Sequence, residues 1–372
     1  MSVEQVSLLT SLALAAAFVL SAVFGAVARS TRFCTMGAIS DVVNLGDWTR
    51  VKQWAAAGGV ALIGFSALVF AGLVDADRTL YASSRILWLS ALVGGLLFGA
   101  GMVLCSGCGN KTLVRVGGGS LKALVVLLVM GVAAFATLKG ITAVLRVATV
   151  DHVHFDVATN ASLPDVLASA LKMHAPSLRL LMGLVIGGAL IAWAAWGRRE
   201  TRDVRSLVGG LLIGLLVAAA WWLSGHWAVV EEHPLTLEHV FLATNSGRAE
   251  ALSFVTPVAY ALDWLMFYSD ANKLLTLGIV SVAGVVVGAA VHALWSREFR
   301  REGFAGTSDL AHHVGGAVLM GVGGVTAMGC TIGQGLSALS TLSLASLPAI
   351  LGIVVGAVAS LKYQAWQLQR EL

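Results

Sequence analysis

Two stretches decide the fold: Gly94-Gly-Leu-Leu-Phe-Gly-Ala-Gly-Met-Val-Leu-Cys-Ser-Gly-Cys-Gly-Asn-Lys111 and Gly316-Ala-Val-Leu-Met-Gly-Val-Gly-Gly-Val-Thr-Ala-Met-Gly-Cys-Thr-Ile-Gly333. A shift of 222 residues lays Cys108 on Cys330, and with it Gly94 on Gly316, Gly99 on Gly321, Gly101 on Gly323 and Gly107 on Gly329. Both copies read as a glycine-lined apolar helix ending in Gly-Cys, then a polar small-residue turn and a second apolar helix. At the nearby shift of 221, Phe33-Cys34-Thr35-Met36 falls on Phe254-Val255-Thr256-Pro257. That echo keeps the aromatic and the threonine and loses the thiol.

Outward from these stretches the chain is apolar throughout. Of 372 residues 58% are hydrophobic and 12% charged, with a mean hydropathy of +0.85, whereas soluble domains are about one quarter charged. This excludes an ordinary soluble globule. Nine segments have the length a bilayer core requires: Leu8 to Ala28, Trp54 to Leu73, Ile86 to Leu104, Leu121 to Leu138, Leu178 to Trp196, Leu207 to Leu223, Leu274 to Leu294, Leu310 to Met328 and Leu347 to Leu361. The first is expected to be a retained helix and not a cleaved signal, because Met1 to Thr10 carry Glu4 and no Lys or Arg. The arginines and lysines that give the net charge of +4 lie in short blocks beside the spans, the positive-inside pattern, so nucleic acid is not an expected partner. The four cysteines, three of them beside glycines, read as free thiols and not as a disulfide framework.

Placing Arg29, Arg32, Arg50 and Lys52 in the cytoplasm puts the N-terminus in the periplasm. The blocks Lys111, Arg115 and Lys122; Arg198, Arg199, Arg202 and Arg205; Arg297, Arg300 and Arg301; and Lys362 and Arg370 then all fall on the cytoplasmic side, and so does the C-terminus. Four spans in each half, with an unpaired fifth between them, turn the second copy upside down. The expected fold is an all-α polytopic membrane protein, with about nine transmembrane helices and re-entrant half-helices in two inverted repeats. Residues 1–177 form the first repeat, 178–205 a linker span and basic loop, and 206–372 the second repeat. Phe33 to Val43 and Phe254 to Tyr268 are too short to span and read as the half-helices. Irregular backbone of this kind survives at membrane depth only against protein or a water-filled cavity, and transporter sites are built there.

Three thiols share one context, a glycine beside the end of an apolar helix: Cys34, Cys108 and Cys330. Glycines at 37, 107, 109, 329 and 333 let backbone approach closely and free N–H groups to face a ligand (Gly37, Gly107, Gly109, Gly329, Gly333). A thiol adds a soft, polarizable contact, so a dianion with one soft sulfur and three hard oxygens matches S–H at one end and N–H at the other. Asn110 and Gln334 in the turns are candidate donors to an oxyanion, or else they satisfy the broken helix ends. A single buried Cys usually behaves as a small hydrophobe, and Cys105, whose counterpart is Ala327, is read that way. The Cys105-Ser-Gly-Cys108 spacing is a weak redox or zinc signal, because no further Cys or His accompanies it in sequence. The glycines also suit simple helix packing.

Lys111 suits snorkelling to headgroups better than a site charge. Asp41 and Asp263 flank the half-helices. His312 and His313 read as interface residues, and Trp54, Trp88, Trp221, Trp222 and Trp295 as an interfacial aromatic belt. No cofactor or metal is expected.

Arg-Phe-Cys-Thr-Met-Gly around Cys34, Gly-Cys-Gly around Cys108 and Gly-Cys-Thr-Ile-Gly around Cys330 resemble the motifs of the YeeE/YedE sulfur-transport family, in order and over essentially the whole chain. The resemblance implies an inner-membrane protein that takes up thiosulfate or a related small sulfur-containing anion through an hourglass-shaped bundle. It implies functional roles for Cys34, Cys108 and Cys330 at the constriction, and cooperation with a small cytosolic TusA-like sulfurtransferase. The outer loops Lys139 to Ser177 and Ser224 to Arg248 are longer than that pattern needs. A transporter is expected and not an enzyme. Two other readings are a membrane sulfurtransferase that passes a cysteine persulfide to a cytosolic carrier, and a nonselective channel.

Overall fold

The computed structural model describes residues 2–196 and 203–371, so Arg198, Arg199 and Arg202 of the expected basic loop lie outside the described residues. Fourteen α-helices carry the fold. In the first part of the chain these are α1 (Val3–Ser30), α2 (Thr35–Leu45), α3 (Thr49–Phe70), α4 (Trp88–Leu104), α5 (Gly109–Gly117) and α6 (Leu121–Lys139). Then come α7 (Ile141–Ala148), α8 (Leu163–Leu171) and α9 (Ala175–Ala195). The remainder are α10 (Val204–Trp222), α11 (Val255–Met266), α12 (Leu277–Trp295), α13 (Thr307–Thr326) and α14 (Ser346–Glu371). Among the described residues the only strands are two-residue antiparallel pairs in the loops between helices, Arg85–Ile86 with Phe155–Asp156 and Val229–Val230 with Val240–Phe241.

Among the described residues eight segments are long and apolar enough to cross a membrane, and the chain is a largely helical, polytopic membrane protein. The expected eighth span forms as α13, yet it is not one of these eight. Its opening turns carry Asp309, His312 and His313, and seven of its residues are glycine or histidine, which lowers its apolar content. The loop Lys139 to Ser177 is not featureless, since α7 and α8 fold within it.

Local chemistry fixes the helix ends. Ser2 and Gln5 close a reciprocal capping box on α1, and the hydroxyls of Ser120 and Thr276 accept the N–H of Ala123 and Ile279 to start α6 and α12. Gly46, with φ +67°, ends α2 in the left-handed conformation that costs glycine nothing. On α1, Ala13, Ala17, Ser21 and Phe24 are buried, while Leu8, Leu12, Val19 and Val23 stay exposed as a lipid-facing stripe.

The helices associate through small residues. In lipid no hydrophobic force drives helix against helix, so close backbone approach and van der Waals contact must do it. α1 lies along α12 and α3 along α10; α4 lies along α14 and α6 along α13; α4 and α13 cross each other. At that crossing a Cβ on Gly101 would sit 2.5 Å from the Gly316 carbonyl oxygen, and one on Gly316 would sit 2.7 Å from that of Gly101. Gly94 and Gly323 meet in the same reciprocal way, at 2.7 and 2.6 Å. Gly94 meets Gly323 and Gly101 meets Gly316, so the two helices run antiparallel. α9 packs against α3, with Gly187 meeting Gly59 and Gly183 meeting Ser66.

Gly101→Leu places a side chain into the α13 backbone and is expected to destabilise the protein by about 1–3 kcal/mol, the range for overpacking a filled interior. A lower melting temperature for the purified protein in detergent checks this. Gly188→Leu, where a Cβ meets nothing within 4 Å, is expected to leave the melting temperature within error.

Candidate functional site

Several helices stop at a left-handed residue, α8 at Lys172 and α12 at Arg297 among them, and three of these stops are each followed by one of the singled-out cysteines. After α1, α4 and α13 the chain makes a left-handed turn at a residue that is not glycine: Arg32 (φ 54°), Ser106 (φ 54°) and Met328 (φ 56°). The next N–H then bonds back to a carbonyl five residues earlier: Phe33 to Ala28 at 2.9 Å, Gly107 to Met102 at 2.8 Å and Gly329 to Gly324 at 2.8 Å. These are Schellman-type caps, which satisfy the orphan carbonyls of a helix end. One residue further on stand Cys34, Cys108 and Cys330, each opening a new helical segment: α2, α5 and the turn that runs into the π-helix Gly333–Ala338.

All three thiols are buried within one contiguous core cluster. The Gly37 N–H donates to the Cys34 sulfur at 3.4 Å, and the Gly333 N–H donates to the Cys330 sulfur at 3.5 Å. The shared spacing Cys-Thr-x-Gly in Cys34-Thr-Met-Gly37 and Cys330-Thr-Ile-Gly333 creates this pair of contacts. Cys108 caps α5 without a thiol cap hydrogen bond, and its sulfur has the Cys34 thiol and the Thr331 hydroxyl as near neighbours. Cys108 therefore stands between the others. Cys105 is not part of the group, because its thiol points at the His313 carbonyl of α13, 3.1 Å away. The two cysteines of the CxxC spacing thus face different neighbours.

The group leaves several buried polar atoms without a hydrogen-bond partner. Both side-chain ends of Asn110, the hydroxyls of Thr35 and Thr331, and Gln334 Oε1 are unpartnered, as is Trp54 Nε1 on a ring stacked 4.5 Å from Phe33. Unmade buried hydrogen bonds cost about 1–3 kcal/mol each. Asn110 is 0% exposed, so bulk water does not satisfy it. Gln334 divides differently, since its Nε2 donates to the Ala327 carbonyl at 2.6 Å and so closes the broken end of α13.

On one side of the thiols lies a cavity of about 320 Å³ whose wall includes Glu250 to Ser253, Thr256, Tyr260, Arg146 and Asp151. The Ser253 hydroxyl stands 4.0 Å from the Cys330 sulfur. Tyr81, from the loop before α4, donates to the Gly333 carbonyl at 2.9 Å. Lys111 stands beside Cys34 and Cys108, with Arg50 and Arg115 near it. The Arg50 guanidinium lies over Gly37 and pairs with Asp41 at 3.2 Å, and Arg115 pairs with Glu302 at 2.9 Å. Arg115 holds the Glu302 carboxyl below its usual range. Lys111 makes no ion pair among the described residues. It is half-buried beside Cys34 and Cys108 and does not snorkel away from them.

Gly107, Gly109, Gly329 and Gly333 line these same turns. A Cβ at Gly333 would meet the Ser253 hydroxyl at 2.8 Å, and one at Gly109 would touch Val255 at 3.5 Å. Asp263 is engaged by Lys273. His313 pairs with Asp309, one turn earlier, at 3.0 Å. Among the described residues no group of three or more His, Cys, Asp or Glu is placed to hold a metal. Trp221 does not belong to an aromatic belt, because it is fully buried and donates to Ser340 at 3.0 Å. Thr35, Thr331, Ser253 and Tyr81 were not singled out from the sequence. The repeated Cys-Thr-x-Gly was the available signal for the two threonines, and nothing local marks Ser253 or Tyr81.

Interrupted helices that bring buried thiols and unpartnered polar atoms together inside an apolar bundle define a membrane transport protein. The sulphur transport family profile matches residues 30–359, and the chain belongs to that family, which makes it a transporter and not an enzyme. It is 29% identical over 328 residues to the thiosulfate transporter TsuA of Escherichia coli (strain K12), covering 85% of this chain and 84% of that one. It is 25% identical over 347 residues to the thiosulfate transporter TsuA of Spirochaeta thermophila, covering 90% and 93%. The chain is a multi-pass protein of the bacterial inner membrane, and its family points to a sulfur anion as cargo.

Asn110→Leu removes two unpartnered buried atoms and replaces them with a similar apolar volume, so stability is expected to hold or rise. Uptake of the sulfur anion is expected to fall at least about tenfold, the loss that follows from about 1.4 kcal/mol of missing hydrogen bonding. Melting temperature and initial uptake rate, measured on the same preparation, check both halves.

Proposed function

We propose that this protein takes up thiosulfate through a central pathway that runs from the outer cavity past Cys330, Cys108 and Cys34 to the cytoplasmic side. One observation carries the reading: three thiols on three like helix breaks gather with Cys108 in the middle, beside the unpartnered Asn110. Thiosulfate has a soft terminal sulfur and three hard oxygens. The S–H groups, weak donors, meet its sulfur, while Asn110, Thr35, Thr331 and the N–H groups around Gly37, Gly107, Gly109, Gly329 and Gly333 meet its oxygens. Weak contacts at several shallow sites let the anion enter and leave, where a single deep site would hold it. No covalent bond is made.

The two halves act in this reading as inverted repeats about the α4–α13 crossing. The support is reciprocal packing: α1 with α12 answers α10 with α3, and α4 with α14 answers α13 with α6. α2 and α11 are the re-entrant half-helices, α9 is the linker, and the repeats are residues 1–177 and 206–372. The N-terminus is periplasmic and the C-terminus cytoplasmic. Arg50, Lys111 and Arg115 receive the anion on the inner side, where a small TusA-like sulfurtransferase takes up its sulfur. Both relatives described above are thiosulfate transporters, in keeping with this cargo.

Cys108→Ala, in cells that depend on this protein and on thiosulfate as sole sulfur source, is expected to abolish growth at normal expression, while Cys105→Ala grows like the parent. Growth of the Cys34, Cys108 and Cys330 alanine variants alike would sink the proposal. Intact-mass analysis after thiosulfate exposure separates transport from sulfur transfer. A lasting gain of one sulfur atom favours the persulfide reading; continued uptake with no adduct favours permeation.

A further inference from the structure

The outer cavity holds a carboxylate in the path of the anion. Glu250, Ala251, Leu252 and Ser253 form one continuous strip of its wall, which starts at the carboxyl group and ends at the hydroxyl 4.0 Å from the Cys330 sulfur. The backbone of Glu250 is fixed by Ser224, whose hydroxyl donates to the Glu250 carbonyl and accepts its N–H at 3.1 Å. One carboxyl oxygen, Oε1, accepts from the Ser246 N–H at 2.8 Å and from the Ser246 hydroxyl. The Asn245 N–H also faces the carboxyl group.

The charged and titratable groups around it do not neutralise it. Arg146 and Asp151, also on the cavity wall, pair with each other at 3.0 Å, and Ser90 donates to Asp151 at 2.6 Å. Arg248, two residues before Glu250, donates to the Thr79 and Ala82 carbonyls. Tyr81 and Tyr260 are the neighbouring phenols, and Asp263, near Tyr260, is held by Lys273. Among the described residues no Lys, Arg or His forms an ion pair with Glu250. Burial pushes its carboxyl up from the usual carboxylate range.

An ionised Glu250 and a dianion repel each other in a confined, low-dielectric space, and an ionised carboxylate offers the anion acceptors only. Protonation reverses both effects. We propose that Glu250, in its protonated form, is the hydrogen-bond donor that receives the anion in the outer cavity before it reaches Cys330. The proton comes from the outer solution and returns to it when the anion moves on to the thiol. This rests on the uptake pathway described above and adds an entry site to it.

The test is the initial rate of thiosulfate uptake into proteoliposomes at fixed internal pH, with external pH stepped from acid to alkaline. Thiosulfate remains a dianion throughout, so the titration belongs to the protein. The wild-type rate is expected to fall as external pH rises, by up to about tenfold per pH unit above the Glu250 titration, the slope of a single proton site. Glu250→Gln keeps an oxygen to accept from Ser246 and presents a permanent N–H donor. Its rate is expected to be flat across the range and within about threefold of the wild-type acid rate, since one neutral donor replaces another. Equal melting temperatures for the two proteins exclude a folding explanation. A flat wild-type profile overturns the assignment, and so does a Glu250→Gln profile that still follows that of the wild type. Cys108-dependent uptake without any pH effect defeats the entry site alone; no uptake at any pH, or uptake indifferent to Cys108→Ala, defeats the pathway as well.

Discussion

A helix that stops inside an apolar bundle must have its end groups satisfied by the protein itself, and that constraint governs this structure. The last carbonyls of α1, α4 and α13 find their partners within the chain itself, beside turn residues that are exposed. Each helix therefore turns its chain back on itself through a left-handed residue, and an N–H bonds across to a carbonyl five residues before it. Glycine adopts that conformation freely, but Arg32, Ser106 and Met328 do so at a cost of about 1–2 kcal/mol each. The turn has a geometric result. The next helix begins two residues later, so its N-terminal N–H groups and the cysteine that opens it face the space between the broken ends.

Small residues make it possible for the breaks to meet. The reciprocal contacts of Gly94 with Gly323 and of Gly101 with Gly316 hold the α4 and α13 backbones together along an antiparallel seam, with Gly101 near the end of α4 and Gly323 near the end of α13. Close packing and interrupted helices are thus one device: the glycines bring the two helices together, and the caps direct their ends inward. The cost appears as unpartnered polar atoms on Asn110, Thr35 and Thr331, which a closed structural core would not retain.

Much of this was legible in the chain. Glycine and cysteine register, span length and the basic blocks are local properties, and they located α4, α13, both short helices and all three thiols. Cys105 was separated from the group by its lack of a counterpart, and its thiol donates to the His313 carbonyl. What was hidden depends on conformation or on distant contacts. Arg32, Ser106 and Met328 share a backbone state and no side-chain chemistry, so no pattern of residue types announces them. Trp221 looked like a belt residue because it sits at a span end, but tertiary packing buries it against Phe65 and Ser340. Ser253 and Tyr81 reach Cys330 and Gly333 from loops 77 and 252 residues away in sequence.

The distribution of charge along the proposed route bears on how an anion can cross. An interior-negative potential opposes inward movement of negative charge by about 2.3 kcal/mol per charge per 100 mV. A strong cation midway would lower the barrier there but would also trap the ion. The middle of the route carries thiols, hydroxyls and the amides of Asn110 and Gln334 instead. The cations lie beyond them, and two are already restrained, Arg50 by Asp41 and Arg115 by Glu302. That leaves Lys111 beside Cys34 and Cys108 as the charge available to draw the anion off the thiols, and the restrained arginines as a shallower pull beyond it. A gradient of weak contacts ending in tempered positive charge favours passage over capture, as a conducting site requires.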